Sequence, residues 1–324
     1  MDTIQPSFIG VAMRFSAITY FDKKYINRGL ALVNSVLAKN SDLEVFYIQT
    51  LDLESYNEVK SYFLRNSRVL TFAPDVIKDD IEEMAKFLNG NELFFALKPV
   101  CIQKCIDTIS FKGHLIYLDA DLYFFRELQL PKIKQDYSVL LSEHVFANRT
   151  RNHIVHGKHN AGFIIFQLTK DESRDFLKLW LKMCLDTAMT PRVSNSFSDQ
   201  LILEEVSRKF STVDSISDIR INQSLWAIDS MFSISSRKRI IFMLRELIAF
   251  HFHGLQETDS GINTGIRRYG RTNVKNVSII RYIYLLYIRE IEQIRIDRGL
   301  AQSFMPKWKI LLSLFVFGKV KWRE

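Results

Sequence analysis

Glycine and proline are scarce in this chain: its 324 residues include only 12 glycines and 6 prolines. Both residues interrupt helices and strands, so their scarcity predicts long regular elements joined by short connections. A disordered chain is excluded, because 47% of the residues are hydrophobic and 13% are aromatic, enough for a large core. The length suits one α/β domain with a C-terminal appendage as well as two domains.

Cysteines and long apolar runs are also rare. The 3 cysteines lack the spacing of a metal site, and Cys101 and Cys105 fall on one helix face as small core residues, which favours a reducing compartment. No apolar stretch reaches the roughly 20 residues of a membrane span. The opening residues MDTIQPSF lack the basic-then-apolar layout of a signal peptide. We therefore expect a cytoplasmic location.

The excess of positive charge is confined to one end of the sequence. Residues 265–324 contain 13 Lys or Arg and 4 Asp or Glu, whereas residues 1–264 contain 31 and 32. We therefore predict a main domain over 1–264 and a basic helical appendage over 265–324. The nearly neutral main domain argues against a nucleic-acid-binding protein.

The most informative stretch is HLIYLDADLYFF, residues 114–125. Its apolar run, Leu115–Leu118, suits a strand buried on both faces of a parallel or mixed sheet. Asp119 and Asp121 follow at once, and two carboxylates so close together at the end of a buried strand need a cation. Open α/β sheets bind ligands at the carboxyl ends of central strands, and carboxylates suit Mg²⁺ or Mn²⁺. The sequence predicts a divalent metal site here; the alternative is a solvated turn with two acids.

Strands and helices alternate along the chain. The first predicted elements are strands at 13–19, 43–48 and 69–72 with helices at 26–39 and 55–64, the rhythm of a parallel α/β sheet. Those that follow are helices at 79–88, 94–109, 172–185, 199–209 and 274–298, and strands at 138–141, 160–168 and 247–252.

Most of the 7 histidines fall in one segment, as His144, His153, His156 and His159. Such a cluster invites a zinc hypothesis. The spacings are irregular, however, no cysteine is near, and neighbouring Arg and Lys side chains would repel a cation. We interpret the segment as a polar loop beside the active site, able to contact phosphate or acceptor.

Six stretches, in this order, resemble the nucleotide-sugar glycosyltransferases of the GT-A fold, in particular those of glycosyltransferase family 8. They are ITYFDKKYINRGLALVNSV, ALKPVCI, LIYLDADLYFF, HNAGFIIFQL, FSDQLILEEV and FHFHGL. The resemblance implies an α/β fold, with a Rossmann-like, mixed and mainly parallel sheet flanked by helices.

The resemblance also implies roles for single residues. Asp119, Asp121 and His251 would bind Mn²⁺ or Mg²⁺, which bridges the two phosphates of the donor. The other residues near the donor would be Thr19 and Tyr20 at the nucleotide base, Lys98, and Gly254, where backbone approaches the diphosphate.

Asn160, Asp199 and Gln200 would line the sugar pocket. Glycosyl transfer passes through an oxocarbenium-like state. An inverting enzyme needs a general base, for which Asp199 is the candidate, whereas in a retaining enzyme Gln200 would support the cationic sugar. The resemblance favours retention. Two departures from the family pattern bear on the sugar contacts: Leu201 replaces a second acid, and no lysine stands just beyond the His-Gly corner.

The segment 301–324 has an apolar centre, Ile310–Phe317, flanked by lysines, with Trp308 and Trp322 at its edges. It is too short to span a bilayer and is typical of an interfacial segment on an anionic membrane. The alternative is a helix that buries its apolar face on the body of the protein or in a homodimer.

Together these features predict a metal-dependent glycosyltransferase with a UDP-sugar donor and a glycan or lipid-linked glycan acceptor. We expect a peripheral protein at the inner face of the cell membrane that builds lipopolysaccharide, capsule or another surface polysaccharide. One alternative is a sugar-phosphate nucleotidyltransferase, which needs a Gly-rich basic phosphate loop that ITYFDKKY does not provide. The other is a non-catalytic nucleotide-sugar-binding protein.

Overall fold

The computed structural model describes residues 13–130, 136–146, 155–190, 197–227, 245–258, 260–265, 277–301, 305, 310 and 319–321. The strands of the central sheet are β1 (Phe15–Phe21), β2 (Leu43–Thr50), β3 (Val69–Phe72), β4 (His114–Leu118), β6 (Val139–Glu143), β7 (His159–Gln167) and β8 (Val213–Ile216), with the short β5 (Leu122–Phe124) outside it. The seven strands lie in the order β3-β2-β1-β4-β7-β6-β8.

Within this sheet only β7 runs in the opposite direction, because it is antiparallel to both of its neighbours, β4 and β6. The other neighbouring pairs are parallel. The sheet is thus mixed and mainly parallel, as predicted. The reversal brings the first residues of β7 to the sheet edge at which β4 ends, where Leu118 pairs with Phe163.

Helices cover both faces of the sheet. They are α1 (Ile26–Lys39), α2 (Leu53–Tyr62), α3 (Lys78–Met84), α4 (Gly90–Thr108), α5 (Asp171–Met189), α6 (Asp199–Ser207) and α7 (Val277–Asp297). The side chains of Ile116 and Leu118 pack with α1 and α7, whereas those of Leu115 and Tyr117 pack with α4, α5 and α6. Burial on both faces explains the unbroken apolar run before Asp119.

The predicted helices and strands are confirmed to within a few residues, but one helix begins earlier than predicted and several short strands were not predicted. The helix predicted to begin at residue 94 begins at Gly90, which has a φ of +52°, so Pro99 lies well inside it. Gly90 was predicted to end the preceding helix, but that helix already ends at Met84. The strand β8 was not predicted, because its residues VDSI mix polar and apolar side chains over too short a length.

Two smaller sheets contain the strands of the later part of the chain, and one of them pairs with the body. β5 pairs with β9 (Ala249–His251), and β10 (Gln256–Thr258), β11 (Gly261–Asn263) and β12 (Lys319–Lys321) form an antiparallel sheet. Helix α7 packs against α1. None of the helices in the described part of the chain has both the length and the apolar character needed to cross a bilayer. The domain boundary after residue 264 stays a prediction.

The described residues of the segment 301–324 include three apolar side chains that are buried in the core beside α7, those of Met305, Ile310 and Val320. For these three side chains the structure favours packing on the body over contact with lipid. Residues 311–317, Trp308 and Trp322 lie outside the described residues, and their membrane contact stays a prediction.

Candidate functional site

A cavity of about 760 Å³ opens at the sheet edge where β1 and β4 end. Its walls come from the end of β1, from α4, from the turn after β4 and from the segment that follows β9. The residues that line it include Tyr20, Phe94, Lys98, Tyr117, Asp119, Asp121, His251, His253 and Gly254. Parts of the chain that are distant in sequence therefore share one cavity.

The pairing of β9 with β5 brings His251 to the two acids. His251 lies opposite Leu122, and the N–H of Phe252 donates a hydrogen bond of 2.9 Å to the carbonyl of Asp121. Nε2 of His251 is 3.0 Å from Oδ1 of Asp121 and 3.9 Å from Oδ2 of Asp119. Of the three predicted metal ligands, Asp121 and His251 are thus close enough to share one cation, and Asp119 lies farther from His251.

Burial and mutual attraction set the charges of His251 and Asp121. Burial alone would raise the pKa of Asp121, but the charge and hydrogen bond of His251 outweigh it and hold the pKa well below its usual range. Burial alone would lower the pKa of His251, but the two aspartates outweigh it, so this pKa is raised. A proton and a divalent cation would compete for the space between the two side chains, since a histidine ligand must be neutral.

A donor set that fits a divalent cation contains two of the three predicted ligands, Asp121 and His251, together with His253 and without Asp119. One ligand atom each from Asp121, His251 and His253 lie within 4.8 Å of one another. Carboxylates suit Mg²⁺ or Mn²⁺, whereas imidazole favours transition metals, so this set fits Mn²⁺ better than Mg²⁺. Sequence reasoning gave His253 no role, although a His-x-His pair at the end of a strand was an available signal.

Lys98, on α4, forms ion pairs both with Asp119, a predicted metal ligand, and with Asp199 on α6. Its Nζ is 3.2 Å from Oδ1 of Asp119 and 3.0 Å from Oδ2 of Asp199. The side chain is only 5% exposed. Burial opposes its charge, but the two carboxylates outweigh burial and raise the pKa of Lys98. Lys98 is therefore a permanent cation placed between two acids.

Asp199 occupies the first turn of α6, as predicted. The hydroxyl of Ser198 caps this helix by accepting a hydrogen bond of 3.3 Å from the N–H of Leu201. Asp199 is buried behind Lys98; burial raises the pKa of the carboxyl, while Lys98 opposes the rise. The side chain of Leu201 is exposed.

A bulge in β7 supplies backbone groups that hold the site. The ladder between β6 and β7 skips residues 161–163 on the β6 side. Three side chains form hydrogen bonds with the backbone groups left unpaired by the bulge. Lys98 donates to the carbonyl of Ala161 at 3.2 Å, and Gln200 accepts from the N–H of Ala161 at 3.4 Å. Asn160 accepts from the N–H of Gly162 at 2.8 Å. Residues 160–162 therefore lie inside the strand β7.

Gly162 has a role that sequence reasoning missed. A Cβ at this position would lie 2.8 Å from Oδ2 of Asp119, from Oδ1 of Asn160 and from Cε1 of His251. The carbonyl of Gly162 also accepts a hydrogen bond of 2.9 Å from the N–H of Asp119. Glycine is thus required here because predicted metal ligands approach the backbone closely.

Of the residues predicted to lie near the nucleotide base and the diphosphate, Tyr20 and Gly254 line the cavity and Thr19 does not. The hydroxyl of Tyr20 donates to the carbonyl of Phe94 at 2.7 Å, and the two rings lie 4.7 Å apart along the cavity wall. Thr19 is buried and lies on the opposite face of β1. Gly254 lines the cavity with a φ of +82°, a conformation that glycine adopts without strain.

The histidines at 144–159 do not form a three-ligand metal cluster within the described residues. Nδ1 of His144 lies 3.2 Å from the carbonyl of Gly157, and Nε2 of His159 lies 2.9 Å from the hydroxyl of Ser215. His153 lies outside the described residues. The zinc hypothesis therefore gains no support from this segment.

No family model matches the chain. Among curated proteins, a similar sequence is the uncharacterized protein YfnF of Bacillus subtilis (strain 168). The two are 23% identical over 245 residues, which cover 73% of this chain and 80% of YfnF.

Solved structures of similar fold include several glycosyltransferases. GlyE of Streptococcus pneumoniae TIGR4 matches with a TM-score of 0.51 and 13% identity, over 95% of this chain and 65% of GlyE. The galactosyltransferase LgtC matches with a TM-score of 0.50 and 17% identity, over 74% of this chain and 87% of LgtC. The bifunctional glycosyltransferase WbbM matches with a TM-score of 0.51 and 13% identity, over 79% of this chain and 48% of WbbM. This chain thus spans less than two thirds of GlyE and of WbbM. Together with the sheet order, these matches confirm the predicted fold: the chain has the GT-A fold of these glycosyltransferases.

Proposed function

We propose that the chain is a metal-dependent glycosyltransferase that moves a sugar from a nucleoside-diphosphate donor, a UDP-sugar, to a glycan or lipid-linked glycan. The observation that carries the proposal is that Asp119, Asp121 and His251 lie together on the wall of the cavity. Lys98 forms an ion pair with Asp119 and another with Asp199. The fold neighbours support this reaction class, since GlyE and WbbM are glycosyltransferases and LgtC was crystallised with donor and acceptor sugar analogs.

The metal side of the site would hold Mn²⁺ or Mg²⁺ through Asp119, Asp121 and His251, joined by His253. When bound there, the cation would neutralise charge that develops on the leaving nucleoside diphosphate. Tyr117 orients one of these ligands, because its hydroxyl donates a hydrogen bond of 2.5 Å to Oδ1 of Asp119.

The sugar side would be formed by Asn160, Asp199 and Gln200. A carboxylate near the sugar stabilises the oxocarbenium-like transition state, and the amide of Gln200 is held in place by the backbone of Ala161. A general base must reach an acceptor hydroxyl in the cavity. Asp199 is buried behind Lys98, which favours the retaining reaction over the inverting one.

We also propose a place for this reaction in the synthesis of lipopolysaccharide, capsule or another surface polysaccharide, by a peripheral protein on the inner face of the membrane. The support is the basic segment 265–324, since anionic lipid and lipid-linked acceptors share that surface. Co-sedimentation with vesicles tests it: binding to anionic and not to neutral vesicles is expected, and no binding to either would contradict it.

The test of the enzymatic proposal is thermal unfolding against a panel of nucleoside diphosphates. We expect UDP to raise the melting temperature with Mn²⁺ present, because a ligand of the native state stabilises it by mass action. EDTA and the variant Asp121→Asn should abolish the shift, and Asp107→Asn, at an exposed acid of α4, should keep it. No shift for any nucleoside diphosphate would overturn the proposal.

Product analysis separates the alternatives. Metal-dependent release of UDP from a UDP-sugar is expected of the transferase. Release of pyrophosphate from a nucleoside triphosphate and a sugar phosphate would identify a nucleotidyltransferase. Binding without turnover would identify a non-catalytic binding protein. The anomeric configuration of the product, read by NMR, would decide between retention and inversion.

A further inference from the structure

A chain of hydrogen bonds runs from His251 away from the cavity. Nδ1 of His251 lies 3.0 Å from Oδ1 of Asn222, and Nδ2 of Asn222 lies 3.1 Å from Oδ1 of Asn160. Nδ2 of Asn160 lies 3.0 Å from Nε2 of His144, whose Nδ1 lies 3.2 Å from the carbonyl of Gly157. Asn222 is completely buried, and the side chains on either side of it are 5% exposed or less.

The direction of each hydrogen bond follows from groups whose chemistry is fixed. The carbonyl of Gly157 can only accept, so Nδ1 of His144 carries the hydrogen, and Nε2 of this neutral ring accepts from Asn160. The backbone N–H of Gly162 can only donate, and it points at Oδ1 of Asn160. Both contacts give the amide of Asn160 the same orientation.

The orientation of Asn222 is fixed in the same way. The hydroxyl of Ser142 donates to the carbonyl of Asn160 at 3.1 Å and therefore accepts from Nδ2 of Asn222 at 2.6 Å. Two acceptors thus face the nitrogen of the Asn222 amide, and its oxygen must face His251. An amide oxygen can only accept, so Nδ1 of His251 carries a hydrogen and donates it to Asn222.

We propose that Asn222 is a positioning residue: it holds the hydrogen of His251 on Nδ1 and so keeps the Nε2 lone pair aimed at the space beside Asp121. This inference rests on the proposed metal site. Histidine ligands of metals commonly donate their second ring nitrogen to such a partner, which fixes the tautomer and the ring orientation.

The backbone at residue 222 supports the same role. Among the described residues, Asn222 is the non-glycine residue with a positive φ, +54°, a region that asparagine tolerates better than most residues. Its N–H donates to the carbonyl of Ala249 at 3.1 Å, so the residue is attached to β9 two positions before His251. The position thus requires a left-handed backbone and an amide side chain together.

The first test reads the tautomer directly. Two-bond ¹H–¹⁵N correlation spectra of the metal-free Asp121→Ala variant, in which Nε2 of His251 no longer faces the Asp121 carboxylate, distinguish a hydrogen on Nδ1 from one on Nε2 at a pH where the ring is neutral. Adding His251→Gln assigns the signal. We expect the hydrogen on Nδ1. A hydrogen on Nε2 in this variant would overturn the proposal.

The second test measures Mn²⁺ affinity, from the electron paramagnetic resonance signal of the free ion. Asn222→Gly permits the left-handed backbone but removes the amide, and we expect about 10- to 100-fold weaker binding. Asn222→Asp keeps an acceptor for Nδ1 and should bind more tightly than the glycine variant. Asn40→Gly, the matched control, removes a buried amide that joins the end of α1 to Leu128, far from His251, and should bind nearly as the wild type does.

The outcomes separate this proposal from the proposed function. A folded Asn222→Gly protein with wild-type affinity and an Nδ1 hydrogen on His251 would contradict the positioning role. A wild-type protein that binds no Mn²⁺ would contradict the metal site, whereas the tautomer of His251 would still report whether Asn222 controls the ring.

Discussion

Gly162 and Asp119 approach so closely that a Cβ on the glycine would lie 2.8 Å from the Oδ2 atom of the aspartate. We therefore expect Gly162→Ala to displace Asp119 and to weaken Mn²⁺ binding by about tenfold or more, while overpacking costs about 1–3 kcal/mol of stability. Titration with Mn²⁺ and urea unfolding measure the two effects.

The matched control is Gly29→Ala on α1, whose Cβ would meet the ring of Phe21 at 2.3 Å. This variant should lose stability in the same way but keep its affinity for Mn²⁺. Equal loss of affinity in both variants would show that destabilisation alone, and not crowding of Asp119, accounts for the effect of Gly162→Ala.

Lys98 should be essential for stability, because its removal leaves Asp119 and Asp199 without their shared cation. We expect Lys98→Met to lower the free energy of unfolding by about 3–5 kcal/mol. Adding Asp199→Asn should recover part of this loss, since it removes one of the uncompensated charges. The unfolding free energies of the wild type, the two single variants and the double variant give the coupling energy between Lys98 and Asp199.

The control for Lys98 is Lys78→Met, which breaks an exposed pair with Glu82 at 3.8 Å. It should leave the urea midpoint unchanged. Strictly additive effects of Lys98→Met and Asp199→Asn would argue that the two side chains do not interact in solution.

His144 should make the protein sensitive to acid. Burial lowers the pKa of His144 from 6.5 to about 3. Between these values the unfolded chain binds a proton that the folded chain does not, so the free energy of unfolding decreases as the pH falls, by at most about 5 kcal/mol. Urea unfolding of the wild type and of His144→Gln, from pH 7 down, should give a flatter profile for the variant; parallel profiles would refute this.

His253 should shift metal preference. A second imidazole favours Mn²⁺ over Mg²⁺, so we expect His253→Gln to weaken Mn²⁺ binding and to narrow the ratio of the two affinities. Isothermal titration with each ion measures this ratio. His156→Gln, at an exposed histidine, is the matched control. An unchanged ratio in His253→Gln would mean that His253 is not a ligand.

Site residues could be predicted from the sequence where the residues that define them are neighbours in the chain. Asp119 and Asp121 could be predicted because the buried strand before them is continuous in sequence. His251 was identified only through the family resemblance, since its position depends on the pairing of β9 with β5. No local pattern shows which strand pairs with which.

The residues that were missed act over long distances in sequence. The side chain of Asn222 contacts residues that lie 29, 62 and 80 positions away. The stretch around it, INQSLWAI, has no regular periodicity from which these contacts could be predicted. Gly162 was visible in the motif, but its crowding depends on side chains from β4 and β9. Such contacts are products of the tertiary fold.

The bulge in β7 has a consequence for how the chain can change in length during evolution. Residues 161–163 are unpaired with β6, and their free backbone groups serve Lys98, Gln200 and Asn160. A deletion there would let the strand pair regularly, with slower amide hydrogen exchange, but it would remove the attachment points of the site. In this short stretch a more regular sheet and a working site exclude each other, so we expect lineages to accept insertions and deletions elsewhere and not here.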